Sequence, residues 1–197
     1  MKAAAISTSG PPNVLKVMEF DNPHAGAGQV RVRVKAAGIQ PFDLAVRSSG
    51  WAPPGLVVRY PQILGNEFAG IIDQVGDKVT DFSIGNEVLG WALLTCYAEY
   101  VVVSVDQIVH KPQSMPWEEA GAITASGQTA HTALQELGVR PIRSQRSVDR
   151  LAQLVELYSK GKLHIHIRKS FPLHQAADAH REIESGHGRG KVVLTLG

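Results

Sequence analysis

One cysteine, Cys96, stands among 197 residues, so the chain closes no internal disulfide and fits a reducing compartment. No apolar run exceeds a few residues, which excludes a membrane-spanning helix. Charge of one sign is never massed: 20 Lys and Arg face 18 Asp and Glu, for a net charge of +2. That balance, with no basic cluster, argues against a nucleic-acid partner. Lys2 runs at once into a strand-like segment, leaving no room for a signal-peptide apolar core. Repeats and low-complexity stretches are missing. So is any strand–glycine turn–helix unit of the kind that cradles a dinucleotide. The dense glycines late in the chain, Gly186, Gly188 and Gly190, follow a helix and read as a loop. What remains is 44% hydrophobic and 19% charged, enough for a real core in a soluble, cytoplasmic protein.

The 19 glycines and 11 prolines fall mostly before residue 130 and divide short strands. Residues 2–7 and 13–20 read as two strands about a Ser-Gly-Pro-Pro turn. Over 29–36, Val30, Val32 and Val34 alternate with Arg31, Arg33 and Lys35, the period of a half-buried antiparallel strand. Residues 42–47 fit a short helix; 68–75, 87–89, 97–103 and 107–110 fit further strands. Such spacing with glycine corners suggests a closed or partly closed barrel.

After Pro116 the pattern turns helical. The first helix has a middle of small residues, Ala120 to Gly127, that is poorly helix-forming and implies a close neighbour, either backbone or ligand. A second helix follows, with Ser144 or Ser147 as N-cap and Gly161 past its end. Leu163, Ile165 and Ile167 alternate as a strand, 173–183 reads as a helix with Ala176, Ala177 and Ile183 inward, and 191–196 is a closing strand. The expected organisation is a barrel over 1–115, a long helix and junction over 116–143, and a return over 144–197, in one α+β unit.

Several segments resemble the medium-chain dehydrogenase/reductase family. Gly65-Asn66-Glu67-Phe68-Ala69-Gly70 is similar to its G-x-E-x-A-G. Val75-Gly76-Asp77-Lys78-Val79 and Gly85-Asn86-Glu87-Val88 are similar to V-G-x-x-V and G-D-x-V. Ala37 to Asp43 resembles the G-[IV]-x-x-x-D turn, and Ala122 to Thr129 the start of the long helix into the cofactor domain. Gly161-Lys162-Leu163, Phe171-Pro172-Leu173, Ala176 to His180 and Gly190 to Leu194 resemble the family's ending. The zinc-bearing branch places a Cys in the first turn and a His-Glu pair in the second; here stand Gln40 and Asn66-Glu67, so the likeness is to the zinc-free quinone oxidoreductases. His164 and His166 lack a third ligand, and no metal is expected.

The resemblance implies a GroES-like, partly open β-barrel with flanking helices and no Rossmann domain. It implies reduction of quinones or α,β-unsaturated carbonyls with NADPH, a reaction needing orientation, a proton donor and a dry pocket rather than a nucleophile. Gln40 and Thr129 are expected near the nicotinamide ribose and Lys191 near the cofactor. Asp43 and Arg47 are expected beside the substrate, with Asn66 and Glu67 completing the catalytic group. The same residues have plainer readings: Asp43 as a helix cap, Asn66 and Glu67 as loop ties, Lys191 as a solvated strand end. Trp51, Tyr60 and Trp91 either line an apolar pocket or pack as core. With the phosphate cradle absent, the chain alone is expected to hold no cofactor tightly and to be inactive or impaired. Two other classes stay open, a non-catalytic binding module and a cofactor-free lyase with Asp43 or Glu67 as base. The partner is a small molecule rather than nucleic acid or membrane, and apolar surface on the helix from Ala122 to Leu137 invites self-association.

Overall fold

Alternation decides the longest strand. Val30, Val32 and Val34 are buried while Arg31, Arg33 and Lys35 face outward, and a valine face of this kind must find a partner layer. The computed structural model describes residues 1–135 and 146–197, with side chains through Ala130 and again from Arg146. Its strands are β1 (Lys2–Ile6), β2 (Leu15–Glu19), β3 (Gln29–Gly38), β4 (Gln62–Ile63), β5 (Phe68–Val75), β6 (Glu87–Gly90), β7 (Tyr100–Ser104), β8 (Ile108–His110), β9 (Ile167–Pro172) and β10 (Lys191–Thr195). Its helices are α1 (Pro41–Ser49), α2 (Trp117–Gln135), α3 (Val148–Ser159) and α4 (Ala176–Glu184).

Two open sheets form the barrel-like half. The smaller has the order β2-β1-β4, and the larger runs β8-β6-β5-β3-β10-β9. One edge of β3 is divided between two partners: Gln29–Arg33 pairs with β7, and Ala36–Gly38 pairs with β10. Its other edge is taken by β5. The sheets touch through the bridge Ala3–Ala98. The barrel is thus a partly open one, as the resemblance implies, and the closed form that the strand spacing also allowed is not adopted.

The apolar mass divides in two. A larger core lies among the sheets, with Val32, Phe68, Ile72, Tyr97 and Leu194. A smaller one, with Leu89, Ala120, Ile123, Leu151 and Leu154, joins α2 and α3 to the outer face of the larger sheet. Small residues set the spacing between α2 and β3. A Cβ on Gly121 would lie 2.7 Å from the Ala36 carbonyl oxygen, and one on Gly38 would lie 2.8 Å from the Gly121 oxygen. The close neighbour predicted for the small-residue stretch is therefore backbone, the end of β3.

Three readings change. The strand expected over Leu163–Arg168 begins only at Ile167, because β10 offers its first partner at Lys191, opposite Ile167. Leu163 and Ile165 instead pack on the smaller core. The helix expected over 173–183 opens with a single 3-10 turn before α4, and Ala179 and His180 are buried where Ala177 is only half-buried. Apolar surface expected from Ala122 onward is covered at Ala122, Ile123 and Ala125; the side chains of 131–135 and the junction at 136–145, with Leu137 and Ser144, lie outside the described residues. Of the two candidate caps, Ser147 accepts from the Arg150 amide.

The α2–β3 contact yields a test whose sign is informative. An exposed helical Gly→Ala gains about 1 kcal/mol, whereas overpacking a tight contact costs about 1–3 kcal/mol. Gly121→Ala is expected to destabilise the chain by about 1–3 kcal/mol in urea melting. A stabilised variant would contradict backbone contact at this point.

Candidate active site

Four segments meet where α2 crosses the end of β3. They bring together Gln40 ahead of α1, Asn66 and Glu67 ahead of β5, Ala125, Ser126 and Thr129 on α2, and Lys191 at the start of β10. The turn that delivers Asn66 and Glu67 requires Gly65, whose φ is +94° and whose Cβ would strike the Tyr97 ring at 2.4 Å. A side chain there is excluded both by conformation and by space. The turn breaks alternation, so both Asn66 and Glu67 point inward and are fully buried.

Asp43 is the first hub. Its carboxylate accepts from the Gln40 amide (2.8 Å), the Gly65 amide (3.2 Å), the Tyr97 hydroxyl (2.9 Å) and Asn66 Nδ2. The sequence suggests Asp43 as an N-cap; the N-cap is Gln40, and Asp43 stands three residues on, returning a bond to the Gln40 amide as in a capping box. Complete burial outweighs these donors and pushes its pKa from 3.8 to about 6. Burial and the neighbouring Asp43 charge push the Tyr97 phenol well above its usual range, so it stays a donor. Asn66 is spent in the same way: its amide donates to Asp43 and its oxygen accepts from Leu94 N at 3.3 Å.

Glu67 is the second hub, fully buried beneath the floor of the cleft that Gln40 and Ser126 line. Oε2 accepts from the Ala125 amide at 2.6 Å, and Oε1 meets Gln40 Nε2 and the Lys191 ammonium, the latter at 3.2 Å. Gln40 Oε1 in turn accepts from Ser126 Oγ at 2.8 Å, and Lys191 Nζ donates to Ser126 Oγ at 3.0 Å. A buried carboxylate is costly unless paired and hydrogen-bonded, and here both oxygens are engaged. Lys191 is thus more than a solvated strand end.

Above this floor opens a cleft of about 520 Å³. Pro41, Phe42, Leu93, Ala125 and Ala130 supply apolar wall, while Gln40, Ser126, Thr129 and Arg146 supply polar atoms. Thr129 Oγ1 donates to the Ala125 carbonyl at 3.0 Å, and Arg146 donates to the Asn66 carbonyl at 2.9 Å. An apolar pocket with a few convergent polar groups is the ordinary form of a small-molecule site.

The expected residues separate. Gln40, Thr129, Glu67 and Lys191 cluster at or under the cleft, with Asp43 and Asn66 one layer behind. Arg47 does not join them: it is 1% exposed and points to the far side of α1. There its guanidinium contacts His180 Nδ1 (3.2 Å), the Gly10 carbonyl and Glu184, tying α1 to α4. Burial, with Arg47 adjacent, pulls His180 down to about 3. Among the aromatics, Trp51 is 53% exposed and reaches the cleft only through an edge-on contact with Phe42. Tyr60 is exposed, and Trp91 packs on the smaller core. Sequence reasoning missed Ser126, Phe42, Leu93 and Arg146 as lining residues. Only Ser126 carries a signal, lying one helical turn before Thr129. Cys96 is fully buried, which pushes its thiol up to about 12 and leaves it inert.

Asp43 generates a pH-dependent prediction. Its carboxyl holds its proton more tightly folded (about 6) than unfolded (3.8). Its contribution is therefore fully present below 3.8 and is lost as pH rises through about 6. Asp43→Asn removes this slope from urea midpoints measured across that window. It also turns an amide NH₂ toward groups that are all donors, lowering stability at neutral pH by about 2–4 kcal/mol. An unchanged slope would show that Asp43 does not titrate in that window.

Known proteins share this arrangement of elements. A family model described as zinc-binding dehydrogenase matches residues 57–194. Quinone oxidoreductase of Pseudomonas aeruginosa is 32% identical over 136 residues, covering 68% of this chain and 41% of the enzyme. This chain thus spans less than half the length of that relative. The solved quinone oxidoreductase from Coxiella burnetii superposes with a TM-score of 0.89 at 22% identity, covering 100% of this chain and 99% of that one. The Escherichia coli quinone oxidoreductase complexed with NADPH superposes with a TM-score of 0.78 at 16% identity, covering 100% of both chains. Identities this low speak for the fold alone, whereas the family model and the Pseudomonas match speak for descent. The chain belongs to the zinc-binding dehydrogenase family, among the medium-chain dehydrogenases/reductases, and carries their GroES-like fold.

Proposed function

We propose that this chain is the substrate-side domain of a zinc-free, NADPH-dependent oxidoreductase that reduces quinones or α,β-unsaturated carbonyls, in a cytoplasmic setting. The observation that carries the reading is the cleft over Glu67: apolar walls fit a flat, weakly polar substrate, and a polar floor orients its oxygen. The Pseudomonas relative is named a quinone oxidoreductase, and the Escherichia coli neighbour holds NADPH.

The residues do not fit zinc, although the family description names it. Glu67 already accepts from Gln40, Lys191 and the Ala125 amide, and the Lys191 ammonium stands where a metal's charge would be needed. Asn66 is committed to Asp43 and Leu94, and neither a neutral amide nor Cys96, with its thiol held protonated, makes a ready zinc ligand. Among the described residues, no three His, Cys, Asp or Glu side chains converge as a metal site would require.

The residues do fit the nicotinamide end of a dinucleotide. Gln40, Thr129 and Lys191 would hold its polar groups, and Phe42 and Leu93 would exclude water from the reacting face. When bound, a reduced nicotinamide supplies a hydride. The described residues hold no strand–glycine–helix seat for the pyrophosphate and adenosine, the part the family builds in a Rossmann domain. Under this reading the chain alone binds substrate better than cofactor, and turnover is lost or severely impaired. That same missing seat favours one alternative, a non-catalytic binding module. No helix among the described residues is long and apolar enough to cross a membrane.

Titration calorimetry separates the readings. A naphthoquinone is expected to bind, with about tenfold loss in Phe42→Ala for a removed aromatic contact of about 1.4 kcal/mol. NADPH is expected to bind only in the millimolar range or weaker, and chelator treatment to leave quinone binding and melting unchanged. Tight NADPH binding, or one zinc per purified chain, would overturn the corresponding part of the proposal.

A further inference from the structure

Ser126 stands in the wall between two cavities. On one side is the cleft; on the other is a second cavity of about 250 Å³, lined by Lys191, Arg168 and the glycines Gly186, Gly188 and Gly190. Gln40, Pro41 and Ser126 belong to both linings. The hydrogen bonds through this wall have a direction. Lys191 Nζ donates to Ser126 Oγ at 3.0 Å, and Ser126 Oγ donates onward to Gln40 Oε1 at 2.8 Å.

The direction matters because reduction of a carbonyl or quinone consumes a proton as well as a hydride. Among the polar groups lining the cleft, Thr129 gives its hydroxyl hydrogen to the Ala125 carbonyl. Gln40 is an amide and Arg146 a guanidinium, neither of which gives up a proton readily. Ser126 has a hydroxyl backed by an ammonium. Rotation about its C–O bond transfers the donor from Gln40 Oε1 to a ligand oxygen without disturbing the bond accepted from Lys191. Lys191 is held in place by Glu67 at 3.2 Å, and its side chain is 19% exposed toward the second cavity. Arg168 does not compete there, because Glu182 (3.0 Å) and the His187 and Gly188 carbonyls engage its guanidinium. The second cavity thus gives water an approach to the back of Lys191.

We propose that Ser126 donates the proton to the oxygen of the reduced substrate, and that Lys191 reloads it from solvent through the glycine-lined cavity. The inference rests on the reductase reading above. A hydride added to the β-carbon of an enone, supplied by a reduced nicotinamide, shifts the C=C and C=O electron pairs and leaves an enolate oxygen. The Ser126 O–H bond breaks and its proton joins that oxygen. An Nζ–H bond of Lys191 breaks and restores the hydroxyl, and the amine takes a proton from water in the second cavity. One hydride and one solvent proton are consumed, the nicotinamide is oxidised, and the enone leaves as the enol of the saturated carbonyl, which tautomerises in water by losing its O–H proton and gaining one at the α-carbon. Ser126 is the catalytic residue, and Lys191 acts through it.

The probe is 4-nitrophenol, whose coloured anion imitates an enolate oxygen, with nitrobenzene as its neutral control, both titrated into the 197-residue chain. Binding is expected to lower the apparent pKa of the phenol, because Ser126 and Lys191 favour its anion. In Ser126→Ala that lowering should shrink by at least half, with nitrobenzene affinity and the melting curve unchanged, and Ser126→Thr should restore it. A phenol shift equal in Ser126→Ala and the parent chain, or no shift in either, overturns the Ser126 assignment while leaving the cleft intact. Failure of the parent chain to bind either aromatic overturns the reductase reading and this inference with it.

Discussion

Two carboxylates out of reach of water impose the arrangement of everything around them. Asp43 and Glu67 are both fully buried, and an unpaired buried charge costs several kcal/mol. The chain must therefore bring donors to them, and it does so from four directions: the start of α1, the loop ahead of β5, the middle of α2 and the first residue of β10. The glycines at 38, 65 and 121 follow from that convergence, since a Cβ at any of them would displace a hydrogen-bonding partner or its support.

The division of labour between the hubs explains the site. Asp43 ties backbone to backbone and faces no cavity, so its work is to set the position of Gln40 and Asn66. Glu67 lies beneath Gln40 and beside Lys191, so it sets the polar floor of the cleft. The positive charge beside Glu67 is the Lys191 ammonium, 3.2 Å away, which offsets the buried carboxylate.

Much of the fold was legible because its signals are periodic. The valine alternation of β3, the bounds of β5 at 68–75 and the stop at Gly161 were all readable in the chain itself. The two-residue β4 was not, because two residues carry no period, and β9 was misplaced because its pairing depends on where β10 begins. Within the site, the motif residues Gln40, Glu67 and Lys191 meet at one buried carboxylate. Arg47 shows the limit of such reasoning: the family resemblance implied a place beside the substrate, but α1 carries it on the opposite face, toward Glu184 and His180. Leu93 comes from an irregular loop and Ser126 from a stretch whose small side chains already had a packing explanation, so only three-dimensional convergence exposes them.

The central claim is that the space above Glu67 receives a flat, oxygen-bearing ligand. It is tested most directly by following the amide resonances of the isotope-labelled chain during titration with a naphthoquinone. The account predicts saturable shifts concentrated at Gln40, Phe42, Leu93, Ser126 and Thr129, with the β1–β2 sheet unmoved. Shifts absent from those residues, or confined to the far side of the barrel, would contradict it.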